Sequence, residues 1–204
     1  MQLMVTSVMP LEKGRATVCF EDGSEITLYK GEMRKLGLTE GAVISEEVYD
    51  TILKEVLGTR ATKRAMHLLE RQDRTERQLY EKLKQNGYPE VCILQAIEYV
   101  KSYHYIDDHR YAANYIRCHQ EKKSRQRLKM DLHGKGIAKE VIEDALEEEY
   151  CTDECRKIQE LLQKRHYSSE NTDRNEQRKQ YQFLLRRGFC SHDILKVMKS
   201  DEIL

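Results

Sequence analysis

The 204-residue sequence has no tryptophan and only two prolines, pairs none of its six cysteines as CxxC, and holds no apolar run long enough to span a bilayer. Each absence removes a class of function. Cys19, Cys92, Cys118, Cys151, Cys155 and Cys190 are scattered and read as reduced thiols. Cys151 and Cys155 would share one face if a single helix carried both, but no further ligand is spaced for a metal. The apolar opening Met1–Pro10 lacks the basic start and cleavage site of a signal peptide, so a soluble, cytoplasmic protein is expected. No Gly-rich phosphate loop, HExxH or GxSxG is present, and the seven histidines are dispersed. The adjacent acids Asp107 and Asp108 precede an apolar helix, where they serve as cap and first-turn residues and not as a catalytic pair. The chain reads as a non-enzyme that needs no cofactor and no metal.

What is present is charge and helical periodicity. Charged residues make up 34% and hydrophobic residues 39%, a mix suited to solvated helices around thin cores. Only the first fifty or so residues depart from it. There, Leu3–Val8, Arg15–Phe20 and Glu25–Tyr29 are short β-rich runs separated by Lys13-Gly14 and Asp22-Gly23-Ser24 turn signals, which predicts a small antiparallel meander. A short helix and loop over Gly31–Gly41 follows, then a helix from about Ser45 toward Leu57 that covers the sheet.

From Thr59 the apolar period is 3.6. Thr75 with Gln78 makes a capping box, Pro89 opens a helix, and Val91, Leu94, Ile97 and Val100 or Tyr99 form an apolar stripe. The unit then recurs. A helix ends in Gly plus an apolar residue three times, at Gly87-Tyr88, Gly136-Ile137 and Gly188-Phe189. Leu83, Leu132 and Leu184 stand four before these glycines; Ile93, Ile142 and Ile194 stand six after. Ile97, Leu146 and Met198 follow at ten after. The glycines fit left-handed C-caps and the flanking apolar sets fit the contact that each cap closes. Eight before the glycines the set is Leu79, Leu128 and Gln180, with Tyr181 the expected substitute in the third copy. First helices of the second and third units are expected over Asp108–Glu121 and Thr152–Arg165, and the extra length of the third unit over Tyr167–Thr172, before an N-cap at Asp173. The predicted fold is mainly α: three tandem three-helix repeats in an elongated curved array, preceded by a small antiparallel β-rich extension. Its divisions fall at residues 1–50, 51–105, 106–150 and 151–204.

The formal net charge is zero, yet it is the sum of opposed blocks. Arg117–Lys139 holds eight basic residues against Glu121 and Asp131, and Glu140–Glu154 holds eight acids with no Lys or Arg. Blocks of one sign create local fields whatever their total. Lys122, Lys123, Arg125, Arg127, Lys129 and Lys135 form the candidate binding face, with Arg186 and Arg187 at a later helix end, where the helix dipole alone would also favour them. Tyr99, Tyr103, Tyr111 and Tyr115 are read as core residues with their hydroxyls at the rim, in preference to stacking platforms for bases.

With these repeats in view, the chain resembles the RecX family, bacterial regulators of the recombinase RecA. The resemblance spans essentially the whole chain. It is carried by Tyr105-Ile106-Asp107-Asp108-His109-Arg110-Tyr111-Ala112, by Ser124–Leu132 leading into Lys135-Gly136-Ile137, and by Leu184-Leu185-Arg186-Arg187-Gly188-Phe189. Where the family usually has glycines in its basic loop, this chain reads Glu121-Lys122-Lys123-Ser124-Arg125, a departure that bears on flexibility and not on charge. The resemblance implies a non-enzymatic protein that binds RecA and its filament on single-stranded DNA, and suppresses ATP hydrolysis, strand exchange and co-protease activity; a monomer is the default expectation. It leaves room for weak direct DNA contact. Two other readings of the helices are a helix-turn-helix DNA-binding regulator and a helical-repeat scaffold for an unrelated partner.

Overall fold

The computed structural model describes residues 2–151, 153–168 and 173–200. Two compact units divide the chain between Asp107 and Asp108. In the first, β1 (Gln2–Pro10), β2 (Arg15–Phe20) and β3 (Glu25–Tyr29) form the expected meander. Their alternation does what the pattern requires: Val5, Ala16, Val18, Phe20, Ile26 and Leu28 are buried. The β2–β3 turn is held by Asp22, whose Oδ1 accepts from the Ser24 backbone N–H at 2.9 Å and hydroxyl at 2.7 Å. A helix α1 (Lys30–Leu36) ends at Gly37 in the left-handed region, φ 66°. After it a three-residue strand, β4 (Val43–Ser45), pairs antiparallel with the start of β1, giving the order β3-β2-β1-β4. Val43 and Ile44, which the sequence marks as apolar contacts of the preceding helix and loop, thus form an edge strand.

The covering helix and the first repeat helix are continuous. α2 (Glu46–Thr51) passes through a π-wound stretch, Ile52–Gly58, directly into α3 (Thr59–Arg71). The wide turn leaves carbonyls for other donors: the Leu53 oxygen accepts from the Cys92 thiol at 3.2 Å and the Gly58 oxygen from the Thr62 hydroxyl at 2.9 Å. A side chain at Gly58 would displace the Gln95 amide of α5 (Glu90–Ser102) and stand 3.2 Å from the Leu53 carbonyl. Sheet and first repeat consequently share one core, running from Val18 and Leu28 through Ile52 and Leu57 to Leu79, Ile93 and Val100. Arg60 stitches the two parts. It donates to the Thr27 carbonyl at 3.2 Å, pairs with Glu32, and lies over the Tyr29 ring.

The three repeats carry the same termination. α4 (Glu76–Gln85), α7 (Arg125–Gly134) and α10 (Arg174–Arg186) are followed by Gly87, Gly136 and Gly188 at φ 81°, 88° and 84°. In each, the next apolar N–H reaches back to the leucine carbonyl, Tyr88 to Leu83 at 3.4 Å, Ile137 to Leu132 at 3.4 Å and Phe189 to Leu184 at 3.3 Å. The leucines and the isoleucines of α5, α8 (Lys139–Glu149) and α11 (Ser191–Ser200) that face them are buried. Starts recur too: Thr75 forms the expected capping box, and Ser124 caps α7 by accepting from the Arg127 N–H at 3.1 Å. Asp173 precedes α10 without a side-chain cap bond. α6 (Asp108–His119) and α9 (Glu154–Gln163) begin the second and third repeats. Thr152 and most of the expected loop insertion, 169–172, lie outside the described residues.

Four expectations change. Val91 and Leu94 are exposed; the buried face of α5 is Cys92, Ile93, Ala96, Ile97 and Val100. Gln180, not Tyr181, fills the position of Leu79 and Leu128, at 2% exposure. Cys151 precedes α9 while Cys155 lies within it, so no helix carries both. Tyr99 and Tyr103 are exposed and touch each other, ring centroids 4.8 Å apart, whereas Tyr111 and Tyr115 are partly buried against the second core.

Candidate partner-binding surface

The basic helix α7 exists because Ser124 caps it and Leu128 and Leu132, both fully buried, anchor its inner side. Its cations therefore turn outward, but they do not face solvent alone. Lys129 and Arg125 converge on Glu143 of α8, Arg125 at 3.5 Å. Lys123 at 2.8 Å and Arg127 at 3.1 Å converge on Asp131. Tyr115 adds a hydroxyl that donates to Asp131 at 3.2 Å and accepts from Lys123 at 2.8 Å. Burial pushes the Asp131 carboxyl up, yet Lys123, Arg127 and Tyr115 outweigh it and hold the group below the usual carboxylate range. The hydrogen bond from Lys129 holds Glu143 low in the same way.

The acidic block is thus the internal counter-charge of the basic block. Glu149 takes a bidentate pair of 2.7 Å bonds from Arg117, and Glu148 lies 3.4 Å from His109. Lys135 reaches over the rings of Tyr111 and Tyr115. Lys122 is exposed and has no carboxylate within ion-pair distance among the described residues.

Repeats two and three are joined at the start of α7. The Ser124 N–H donates to the Arg187 carbonyl at 3.1 Å, and the Arg125 N–H donates to Glu154 at 2.8 Å. Beneath them lies Lys157, 2% exposed, a buried lysine that spacing alone did not suggest. Its ammonium donates to the Lys123 carbonyl at 3.3 Å and the Tyr150 hydroxyl at 3.1 Å, and the hydroxyl in turn donates to Glu154 at 3.0 Å. Burial lowers the Lys157 pKa and raises that of Tyr150. Gly188 fits against this junction so closely that a Cβ would stand 2.7 Å from both Arg127 Cβ and Ser124 Oγ.

Arg186 and Arg187 close α10, Arg186 exposed and Arg187 half-buried. Arg187 lies 3.8 Å over the Phe183 ring and Arg165 lies 4.3 Å over the same ring. Neither Arg165 nor Phe183 stood out in the sequence, because each belongs to an ordinary helical pattern. Among the described residues there is no group of three or more His, Cys, Asp or Glu able to hold a metal, and no helix long and apolar enough to cross a membrane.

Comparison with known proteins agrees with this architecture. Family models described as the first, second and third three-helix domains of RecX match residues 61–99, 107–146 and 152–198. The regulatory protein RecX of Caldanaerobacter subterraneus subsp. tengcongensis is 31% identical over 199 residues, covering 96% of this chain and 98% of that protein. That of Clostridium perfringens strain 13 is 26% identical over 176 residues, 83% of each chain. The crystal structure of RecX from Lactobacillus salivarius superposes with a TM-score of 0.60 at 28% identity, covering 72% of this chain and 98% of that one. A second RecX crystal structure, at 24% identity and a TM-score of 0.63, covers 97% of this chain and 99% of that chain and shares its fold.

Proposed function

The chain belongs to the RecX family, and from that premise we propose that it is a cytoplasmic, monomeric, non-enzymatic regulator of RecA. It binds RecA and the RecA filament on single-stranded DNA, and lowers ATP hydrolysis, strand exchange and co-protease activity, so moderating recombination, repair and the SOS response. The observation that carries this reading is the 31% identity to a regulatory RecX over 96% of the chain. The three matched caps, each with its own buried leucine and isoleucine, support it.

The surface assigned to the partner comprises Lys122, Lys123, Arg125, Arg127, Lys129 and Lys135 of the second repeat, with Arg186 and Arg187 of the third. Lys123, Arg125, Arg127 and Lys129 already hold Asp131 or Glu143, so a docking acid exchanges one carboxylate for another. Such exchange contributes specificity and association rate more than affinity. Co-sedimentation with RecA filaments on single-stranded DNA tests the proposal. Recovery of the chain with the filament, declining as salt rises, is expected; a chain that stays in the supernatant at low salt removes it.

A further inference from the structure

We infer that the third repeat carries an oxyanion site, in which Arg165 and Arg187 stack on the Phe183 ring and take the phosphates of a nucleic-acid strand. It deepens the reading above and rests on it for its setting, but its chemistry stands in the third repeat alone.

Two guanidinium groups lie over one ring, at 3.8 and 4.3 Å. The two distances place the guanidinium carbons no more than about 8 Å apart. Stacking fixes each plane and leaves its rim of N–H donors outward, the arrangement suited to bidentate capture of a phosphate. Glu176 acts electrostatically on Arg165 but also pairs with Lys179 at 3.3 Å, so the pairing within the cluster is uneven and it is Arg187 that differs from most cations of the unit. Arg117, Lys123, Arg125, Arg127 and Lys129 each hold a carboxylate. The Arg187 side chain has no hydrogen bond or ion pair among the described residues, and burial, then the neighbouring Arg165 and Arg186, lower its pKa. Arg187, held beside two like charges with no ion pair of its own among the described residues, is stabilised by an anion from outside.

The cluster is also built. Gln180 breaks the repeat at a position where the other two copies have leucine, and it is 2% exposed. Its Oε1 accepts from Arg165 Nε at 2.6 Å, and its Nε2 donates to Glu176 at 2.6 Å. A buried polar residue at a core position is costly unless bonded, and here its bonds orient Arg165. The turn after α9 fixes the backbone beneath Arg165, with His166 in the left-handed region at φ 55°. The Arg187 carbonyl is pinned by the Ser124 N–H. Arg186, exposed beside them, adds a third cation.

A nucleic-acid backbone suits this site better than an acidic protein surface. A strand offers a phosphate every ~3.4 Å of rise, so two phosphates of one strand about two steps apart can meet both guanidiniums at once. Two guanidiniums already stacked on Phe183 crowd out a base, and the contact reads backbone without sequence preference.

Fluorescence anisotropy of a labelled single-stranded oligonucleotide with the full chain, without RecA, tests the site. Equal affinity for oligo-dT and oligo-dA is expected. Combining Arg165→Gln with Arg187→Gln is expected to weaken binding at least tenfold and flatten the log–log salt dependence by about 1.4, from ~0.7 per phosphate. Unchanged affinity and slope in a variant of native helical content overturns the inference, as does wild-type protein that binds no oligonucleotide. Should that pair not fold, Arg165→Lys with Arg187→Lys keeps both charges; weaker binding at an unchanged slope supports the fork, and unchanged affinity refutes it. Inorganic phosphate at matched ionic strength should compete only in the millimolar range; micromolar competition would mark a free-anion site instead. RecA ATPase measured in parallel separates the two claims. Inhibition without oligonucleotide binding sinks this site and leaves the RecA reading intact, and binding without inhibition does the reverse.

Discussion

Replacing Gly188 with alanine asks whether the second and third repeats are locked through a turn that tolerates no side chain. Gly188 has φ 84°, a region that costs an L-residue roughly 1–2 kcal/mol. The added Cβ would also meet Arg127 Cβ and Ser124 Oγ at 2.7 Å and the Arg127 nitrogen at 3.0 Å. Two of those atoms belong to a buried cap and a helix backbone, which cannot swing aside, so overpacking adds roughly 1–3 kcal/mol. The expected loss is about 2–5 kcal/mol. Gly87 is the internal control. It has φ 81° and the same cap role, but its nearest neighbour would be Thr27 Oγ1 at 3.9 Å, ordinary contact. Gly87→Ala should therefore cost only the backbone strain, about 1–2 kcal/mol. Urea unfolding followed by circular dichroism measures both, with the transition of each compact unit fitted separately. Equal losses at the two glycines would refute the close-packed junction, and a smaller loss at Gly188 would refute it more firmly.

Other outcomes follow from single contacts. Arg125→Gln, Arg127→Gln and Lys129→Gln together should keep the fold and weaken partner binding, whereas reversal of all three to Glu should destabilise the second unit, because the new carboxylates would face Glu143 and Asp131; thermal melts of both variants decide this. The Cys92 thiol, buried and pushed up to about 11, should resist a thiol reagent in native protein while the exposed Cys118, Cys151 and Cys190 react; fast modification of Cys92 would contradict its placement. Asp131, Glu143 and Glu149 are held below the ordinary carboxylate pKa of about 4. The unfolded chain takes up protons first as pH falls, so their stabilisation is present above that value and is lost below it. A urea midpoint that rises on acidification from pH 5 to pH 3 would reverse the sign. His166→Gly should raise stability by about 1 kcal/mol by relieving φ 55° at an exposed turn; a lower midpoint would mean that the imidazole contributes a contact of its own.

The repeats were legible because their signal is local. A glycine that must turn left-handed, a leucine four before it and an isoleucine six after it are set by one helix end, and all three copies keep them. The first three strands were legible for the same reason, as alternation between turn residues. β4 was not: three residues carry no period, and only pairing with β1 makes Val43–Ser45 a strand. The π-wound stretch was also hidden, since Ile52–Gly58 has helical composition and the donor that meets its Leu53 carbonyl, Cys92, stands 39 residues away. In the second repeat the two charge blocks were visible, but their mutual pairing needed the fold of α8 against α7. Gln180 stood out as an irregularity, and its meaning required Arg165, fifteen residues earlier, to lie within 2.6 Å. Spacing located the caps; only geometry could say which cations were already neutralised.

The most direct test of the central claim is a titration of purified chain into RecA, with ATP hydrolysis followed in the presence and absence of single-stranded DNA. Hydrolysis on DNA is expected to fall at or below stoichiometric ratios while the chain alone turns over no ATP. DNA-dependent hydrolysis that stays unchanged at a clear molar excess of the folded chain would contradict it.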